Sequence, residues 1–309
     1  MKIVYMGTPD FAVQALELLY KSEYEVVLVV TQPDKGRDRG KKVQFPPVKE
    51  KALELGLRVS QPEKIKGNEE FIEELEKLKP DLIIVAAYGK LLPKSVLEIP
   101  RVGCINIHGS LLPKYRGAAP IHWAVINGEQ ETGVTIMHME EGLDCGDMIS
   151  KASTLIGKKT TAMLHEELSI LGAQLLLNTL PGICDGTAER VKQENEKATY
   201  APMVFKKDGH LDFTKSPKEL EQFIRGFNSW PGAYAILGEE NMKIWESYDL
   251  EKENGSAIGT ITKVSAQGIE VSSGGGTLQI TKIQMPGKKP MMVSDYLKGN
   301  KLIEGTLLK

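Results

Sequence analysis

The chain has few cysteines. Its 309 residues include 3, Cys104, Cys145 and Cys184, which are widely spaced and never in a CxxC pair. An odd and scattered set argues against a disulfide framework and a structural zinc site, and it fits a reducing cytoplasm. A surplus of either charge is also missing: 39 Lys and Arg stand against 41 Asp and Glu, for a net charge of −2. No global basic field exists, so a nucleic-acid partner must be met by local patches. No window approaches the roughly 20 apolar residues that a membrane span needs, and "MKIVYMGTPDF" reads as a strand and turn rather than a signal peptide. Internal repeats and low-complexity tracts are absent. A soluble cytoplasmic protein, large enough for two domains, is the expectation.

The first half alternates unbroken apolar segments ("KIVYMG", "EVVLVVT", "DLIIVAAY", "CINIHG") with amphipathic ones such as "FAVQALELLYKS" and "EEFIEELEKLKP". That alternation predicts an α/β fold with a mostly parallel, Rossmann-like sheet covered on both faces. "TGVTIMHM" and "DMISKAST" predict an antiparallel extension, and "TAMLHEELSILGAQLLLNTL" a closing helix. A polar, irregular stretch follows. The expected division is a catalytic domain over 1–189, a linker over 190–207 and a C-terminal domain over 208–309. In the last, "SPKELEQFIRGFNSWPG" opens with a capping box, Ser216 and Glu219, and places Pro217 at the first helical position. Short Gly-punctuated strands then predict a small OB-like β-barrel.

"GTPDFA" follows the first strand without the GxGxxG glycines of a dinucleotide site. Thr8 as a helix cap and Pro9 at the first helical position account for it without a ligand. "CINIHGS" is more informative. Alternation along a strand puts Asn106 and His108 on one face, and burying two polar groups unpaired costs about 1–3 kcal/mol each. Placed at a strand's carboxyl end, where open α/β sheets bind ligands, the pair is expected to meet something. The plain alternative is hydrogen bonding to neighbouring loops. "MEEGLDCGD" offers Glu140, Glu141, Asp144 and Asp147 without the EF-hand pattern of a calcium loop. One Asp beside His108 would fix the imidazole's tautomer and favour its cationic form, while Glu140 and Glu141 read as solvated loop acids. "TQPDKGRDRGKKVQF" is Gly-rich and basic; it is either a solvated loop or a holder of nucleic-acid phosphates.

"NIHGSLLPKYRG" at 106–117, followed by "ETGVTIMHMEEGLDCGD" at 131–147, closely resembles the formyltransferases that use 10-formyltetrahydrofolate. Formyltransferases of glycinamide ribonucleotide and of sugar nucleotides share that core. "MGTPDFA", "TQPDKGRDRGKK", "FNSWPGA" at 227–233 and the OB-like domain extend the resemblance over essentially all 309 residues, to members acting on charged initiator tRNA. The resemblance implies direct attack by the methionyl α-amine on the formyl group, through a tetrahedral centre bearing an oxyanion, with no metal. Asn106 and His108 are then the oxyanion donors, and Asp144 orients His108 and helps move the amine's proton. It also implies that the folate lies near Tyr88, Gly89 and Leu91, near Ser110, Leu111, Leu112 and Pro113, and near Glu140 and Gly142. Arg39, with Lys41 or Lys42, is expected on the tRNA; Asp38 inside the basic run departs from the pattern. The enzyme is expected to be a monomer. A purine-precursor or sugar-nucleotide acceptor is the rival within the class, and a non-catalytic RNA-binding module the rival outside it.

Overall fold

The computed structural model of the chain describes residues 1–36 and 43–309. Its residues gather into two compact units. The first unit comprises Met1–Pro120, Thr132–Thr154 and His165–Pro202. Along it run β1 (Lys2–Gly7), α1 (Val13–Tyr20), β2 (Glu25–Val30), the short pair β3 (Lys35–Gly36) and β4 (Val43–Gln44), α2 (Pro47–Glu54) and β5 (Val59–Ser60). They are followed in chain order by α3 (Glu69–Leu78), β6 (Leu82–Ala86), α4 (Lys94–Leu97), β7 (Gly103–His108), β8 (Arg116–Gly117), α5 (Pro120–Ile126), β9 (Glu131–His138), β10 (Met148–Leu155), α6 (Thr161–Asp185) and β11 (Tyr200–Ala201), of which α5 after Pro120 and the first turn of α6 belong to the second unit.

Seven strands form one sheet in the order β10-β9-β7-β6-β1-β2-β5. The pairs β2–β5, β1–β2, β1–β6 and β6–β7 are parallel, whereas β9 runs antiparallel to β7. The apolar runs of β1, β2 and β6 are buried on both faces, which is what an unbroken rather than alternating pattern encodes. One face, with Val4, Met6, Ile83, Val85 and Cys104, packs against Phe71 and Leu75 of α3. On the other, Gly172 of α6 lets the helix backbone approach Ile107 and Val134; an added Cβ would stand 2.9 Å from Ile107. Contrary to the sequence expectation, α6 is long and apolar enough by length and composition to cross a membrane. Leu168, Ala173, Leu176 and Leu180 are nevertheless buried inside the unit, and Ser169 donates to the Phe11 carbonyl at 2.8 Å.

Thr8 does not cap a helix. Pro9 occupies the N-cap position of the short 3-10 turn at Asp10–Ala12, with no side-chain cap. The Thr8 hydroxyl instead donates to the Tyr88 carbonyl (3.2 Å) and accepts from the Gln32 amide (3.3 Å). Gln32 Nε2 donates to the same carbonyl at 2.8 Å, so the ends of β1, β2 and β6 are pinned together.

The second unit comprises Ile121–Glu131, Leu155–Leu164 and Met203–Lys309. Two excursions from the first half therefore belong with it, a grouping that boundaries drawn at 189 and 208 do not contain. It adds α7 (Pro217–Gly226), β12 (Ala233–Leu237), β13 (Glu240–Asp249), β14 (Ile261–Ser265), β15 (Gly268–Ser273), β16 (Gly276–Gln284), β17 (Met291–Met292) and α8 (Val293–Tyr296). The predicted capping box forms: Ser216 Oγ accepts from Glu219 N (3.3 Å), and Glu219 Oε2 accepts from Ser216 N (2.9 Å). The strands follow the antiparallel order β12-β13-β16-β15-β14, with β17 also on β16. The last residues run between the two outer strands. Ile236 and Lys309 exchange hydrogen bonds on one side, while Leu308 N reaches Gly259 O and Ile261 N reaches Thr306 O, both at 2.8 Å, on the other. This segment closes the sheet into a barrel. Buried Glu221 of α7 meets Lys158 Nζ at 2.6 Å and Arg225 Nε at 3.6 Å, and Thr161 Oγ1 donates to Gly226 O at 2.7 Å. These contacts explain why 155–164 travels with α7.

Candidate active site

The face of β7 that begins with buried Cys104 continues with Asn106 and His108, and the strand ends there. Asn106 lies opposite Val85 of β6 and Met137 of β9; His108 lies opposite Thr135. His108 is buried, and its Nε2 stands 2.9 Å from the Tyr115 carbonyl. A carbonyl only accepts, so Nε2 carries the proton and Nδ1 is left for the other side of the ring. There Asp144 Oδ2 lies 3.6 Å away. The tautomer is thus set by the Tyr115 backbone, where the sequence had assigned that task to Asp144.

Asp144 is gripped by other groups. Its Oδ2 accepts from the Gly117 amide at 2.8 Å, and its Oδ1 lies 3.4 Å from Asn106 Nδ2. Its backbone is left-handed, with φ 49°, a conformation that costs a residue bearing a Cβ about 1–2 kcal/mol. Across it Tyr115 is also left-handed, at φ 62°. Gly117 must be glycine: φ is +117°, and a Cβ would stand 2.7 Å from the Ala201 carbonyl oxygen. The partner is β11, whose Tyr200 and Ala201 pair in parallel with Arg116 and Gly117. A stretch that reads as a polar linker therefore forms one wall of the cluster.

The expected folate residues separate by accessibility. Ser110 and Leu112 are buried; Ser110 Oγ donates to Lys114 O at 2.7 Å, and Leu112 packs with Met137 and Met148. Their loop turns through a cis Leu112–Pro113 peptide. It is held by Thr135 Oγ1, which donates to Ser110 O (2.7 Å) and accepts from Leu112 N (3.1 Å), and by Lys151 Nζ on Leu112 O (2.5 Å). Burial lowers the pKa of that lysine. Leu111 and Pro113 are half-buried, whereas Gly89, Glu140 and Gly142 are exposed and Leu91 is 69% exposed. Tyr88 is buried with its hydroxyl unpartnered, and burial pushes its pKa up to about 12. Arg39, Lys41 and Lys42 lie outside the described residues. Among the described residues no group of three or more His, Cys, Asp or Glu is arranged to hold a metal ion.

Sequence reasoning missed Tyr115, Thr135 and Lys151, which place the ring and the loop. It also missed Gln193, which donates to the Asp144 carbonyl, and Arg116, which donates to Gln193 and Asn195. Tyr115 and Arg116 lie within the first motif and Thr135 within the second; Gln193 and Asn195 carry no local signal.

Residues 1–180 match the family described as formyl transferase, and residues 203–301 match the formyl transferase C-terminal domain. The methionyl-tRNA formyltransferase of Clostridioides difficile is 48% identical over 309 residues, covering 100% of both chains. That of Caldanaerobacter subterraneus subsp. tengcongensis is 48% identical over 310 residues, again covering 100% of both. Among solved structures, the N-formyltransferase from Helicobacter canadensis in complex with folinic acid and dTDP-3-aminofucose superposes with a TM-score of 0.69 at 22% identity, covering 91% of this chain and 99% of that one. HypX from Aquifex aeolicus in complex with tetrahydrofolic acid gives a TM-score of 0.61 at 17% identity, over 96% of this chain and 47% of that one. These last two likenesses speak to the fold alone.

Proposed function

The chain belongs to the formyl transferase family, and on that footing we propose that Asn106, His108 and Asp144 carry its chemistry. It transfers the formyl group of 10-formyltetrahydrofolate to the α-amino group of methionyl initiator tRNA, giving the N-formylmethionyl-tRNA that starts translation. The observation carrying the mechanistic reading is the arrangement of three polar side chains at one strand end, with His108 Nδ1 facing Asp144 across 3.6 Å.

The folate supplies the formyl group. The residues available fit a flat, partly apolar ring with polar edges: exposed Leu91 and the backbone of Gly89 on one loop, and the turn at Leu111–Pro113 on another. Glu140 and Gly142 border the loop that carries Asp144. Asn106 Nδ2 is a donor for the oxygen whose negative charge grows during transfer, and removing such a donor typically costs about 3–4 kcal/mol in acyl transfers. His108 Nδ1, free of the Tyr115 hydrogen bond, is the acceptor for the proton that the amine must lose. Once protonated, Nδ1 becomes a second donor, and Asp144 faces the cation that results. The nucleophile is the substrate's own amine, so no Ser or Cys nucleophile is needed.

The OB-like domain over 208–309 is the proposed tRNA-docking part, joined by 190–207 to the catalytic part over 1–189. Arg39, Lys41 and Lys42 are the proposed contacts to the acceptor end. We place the reaction in the cytoplasm and the enzyme as a monomer. The test is formyl transfer from 10-formyltetrahydrofolate to methionyl-tRNA, run beside a purine-precursor amine and an amino-sugar nucleotide. Faster transfer to either small acceptor would overturn the reading.

A further inference from the structure

Gln193 has no assigned role and lies between the two matched family regions, which end at 180 and resume at 203. Its side-chain amide is fully engaged. Nε2 donates to the carbonyl oxygens of Asp144 and Gly146, each at 2.8 Å, and so uses both of its hydrogens on one turn. Oε1 accepts from Arg116 Nε at 3.0 Å. A flipped amide would set its oxygen against two carbonyls and its NH2 against a guanidinium N–H, so the orientation is determined by the neighbours.

Arg116 is itself fixed. It is 4% exposed, its Nη2 donates to Asn195 Oδ1 at 2.9 Å, and its backbone amide donates to Thr199 O at 2.8 Å. No carboxylate pairs with it among the described residues. The adjacent Gly117 amide holds the Asp144 carboxylate at 2.8 Å. Two grips on one residue, on its main chain and on its carboxylate, therefore issue from the same Arg116–Gly117 step. The turn they hold is an unusual one: Asp144 is left-handed, and a Cβ at Gly146 would fall 2.1 Å from the His138 carbonyl oxygen.

We infer that Gln193 is a positioning residue for formyl transfer, holding the Asp144 turn so that the carboxylate faces His108 and Asn106. The inference rests on the role given to Asp144 above. An Arg-bound amide that donates twice has a function different from that of a simple tether, and the two make opposite demands on the side chain. A tether to Arg116 is satisfied, even strengthened, by a carboxylate. A grip on two carbonyls needs donors.

The experiment uses the full chain in steady-state transfer to methionyl-tRNA. Gln193→Glu keeps a partner for Arg116 but turns acceptors toward the Asp144 and Gly146 carbonyls. It should lower kcat by about 10- to 100-fold, leave both KM values within about threefold, and melt near the wild-type temperature. Gln193→Ala, which removes the grip without introducing charge, should lower kcat by about tenfold and serves if the Glu variant does not fold. In an Asp144→Asn background, adding Gln193→Glu should cost less than about threefold, because the two act through one group. Near-wild-type kcat in both single variants, or a full multiplicative loss in the double variant, overturns the inference. If Asp144→Asn alone is slow while the Gln193 variants are fast, only the positioning role fails. If Asp144→Asn alone is fast, the role of Asp144 fails, and that of Gln193 with it.

Discussion

Asp144 and Glu221 are both carboxylates withdrawn from solvent, with side chains 16% and 8% exposed, and their surroundings are opposites. Glu221, in the second unit, has Lys158 at 2.6 Å and Arg225 at 3.6 Å, so two cations stand against its charge. Asp144, in the first, is met by a backbone amide, an asparagine amide and an imidazole edge, and by no Lys or Arg among the described residues. A carboxylate already paired with cations responds little to a further charge, because that interaction has been satisfied. One held only by dipoles still has its full field to offer when a proton reaches the neighbouring ring. The difference separates a carboxylate that fastens a fold from the one proposed to serve the reaction.

The strongest test of that contrast is activity. His108→Ala, Asn106→Ala and Asp144→Asn should each lower kcat by about 10²-fold or more, while Glu221→Gln leaves it near wild type. Single-turnover rates measured on all four would break the comparison if Glu221→Gln were as slow as the others. Next in size is a pH effect at a buried group of a third kind. Burial, with a smaller push from Arg190 and against the pull of Asp147, lowers the pKa of His138 to about 4. The unfolded chain binds that proton near pH 6.5, so the unfolded state holds more protons between those values. Stability should therefore be present above about pH 6.5 and decline by roughly 3 kcal/mol as pH falls toward 4; urea unfolding of His138→Gln should show a flatter profile across that window. Glu221→Gln should cost about 1–3 kcal/mol of stability, since it leaves Arg225 buried without its counter-charge. Lys158→Ala should cost less than about 1 kcal/mol, because that lysine is 78% exposed. Smallest of all, Glu141→Gln should change neither rate nor stability measurably. An effect there equal to that of Asp144→Asn would mean that charge anywhere on the loop, rather than one gripped carboxylate, matters.

What could be read ahead of the structure was whatever is encoded in a short period. Alternation placed Asn106 and His108 on one face, the unbroken apolar runs marked β1, β2, β6 and β7, and Ser216, Pro217 and Glu219 announced the start of α7. Contacts between residues distant in sequence were invisible. Thr8 looked like a cap because caps are local, but its hydroxyl partners lie 24 and 80 residues away. Gln193 looked like linker because its partners are 47 to 77 residues back along the chain. The "SLLP" stretch reads as a single unit near the folate, and its burial alternates in a way that its composition does not reveal: Ser110 and Leu112 are buried, Leu111 and Pro113 half-buried. The composition of α6 is ambiguous for a related reason: a helix laid against a sheet and one crossing a bilayer can share length and apolar content, and only the neighbours tell them apart.

The segment that closes the barrel has a consequence for solubility. Every open sheet presents two rows of unpaired N–H and C=O groups, templates on which a strand from another molecule can grow. In the second unit those rows belong to β12 and to the start of β14, and residues 305–309 occupy both at once. The closing segment is therefore a guard against self-templating as well as a part of the fold. A chain shortened before Gly305 would expose two raw edges together, and its first symptom would be assembly with its own kind rather than loss of chemistry at His108.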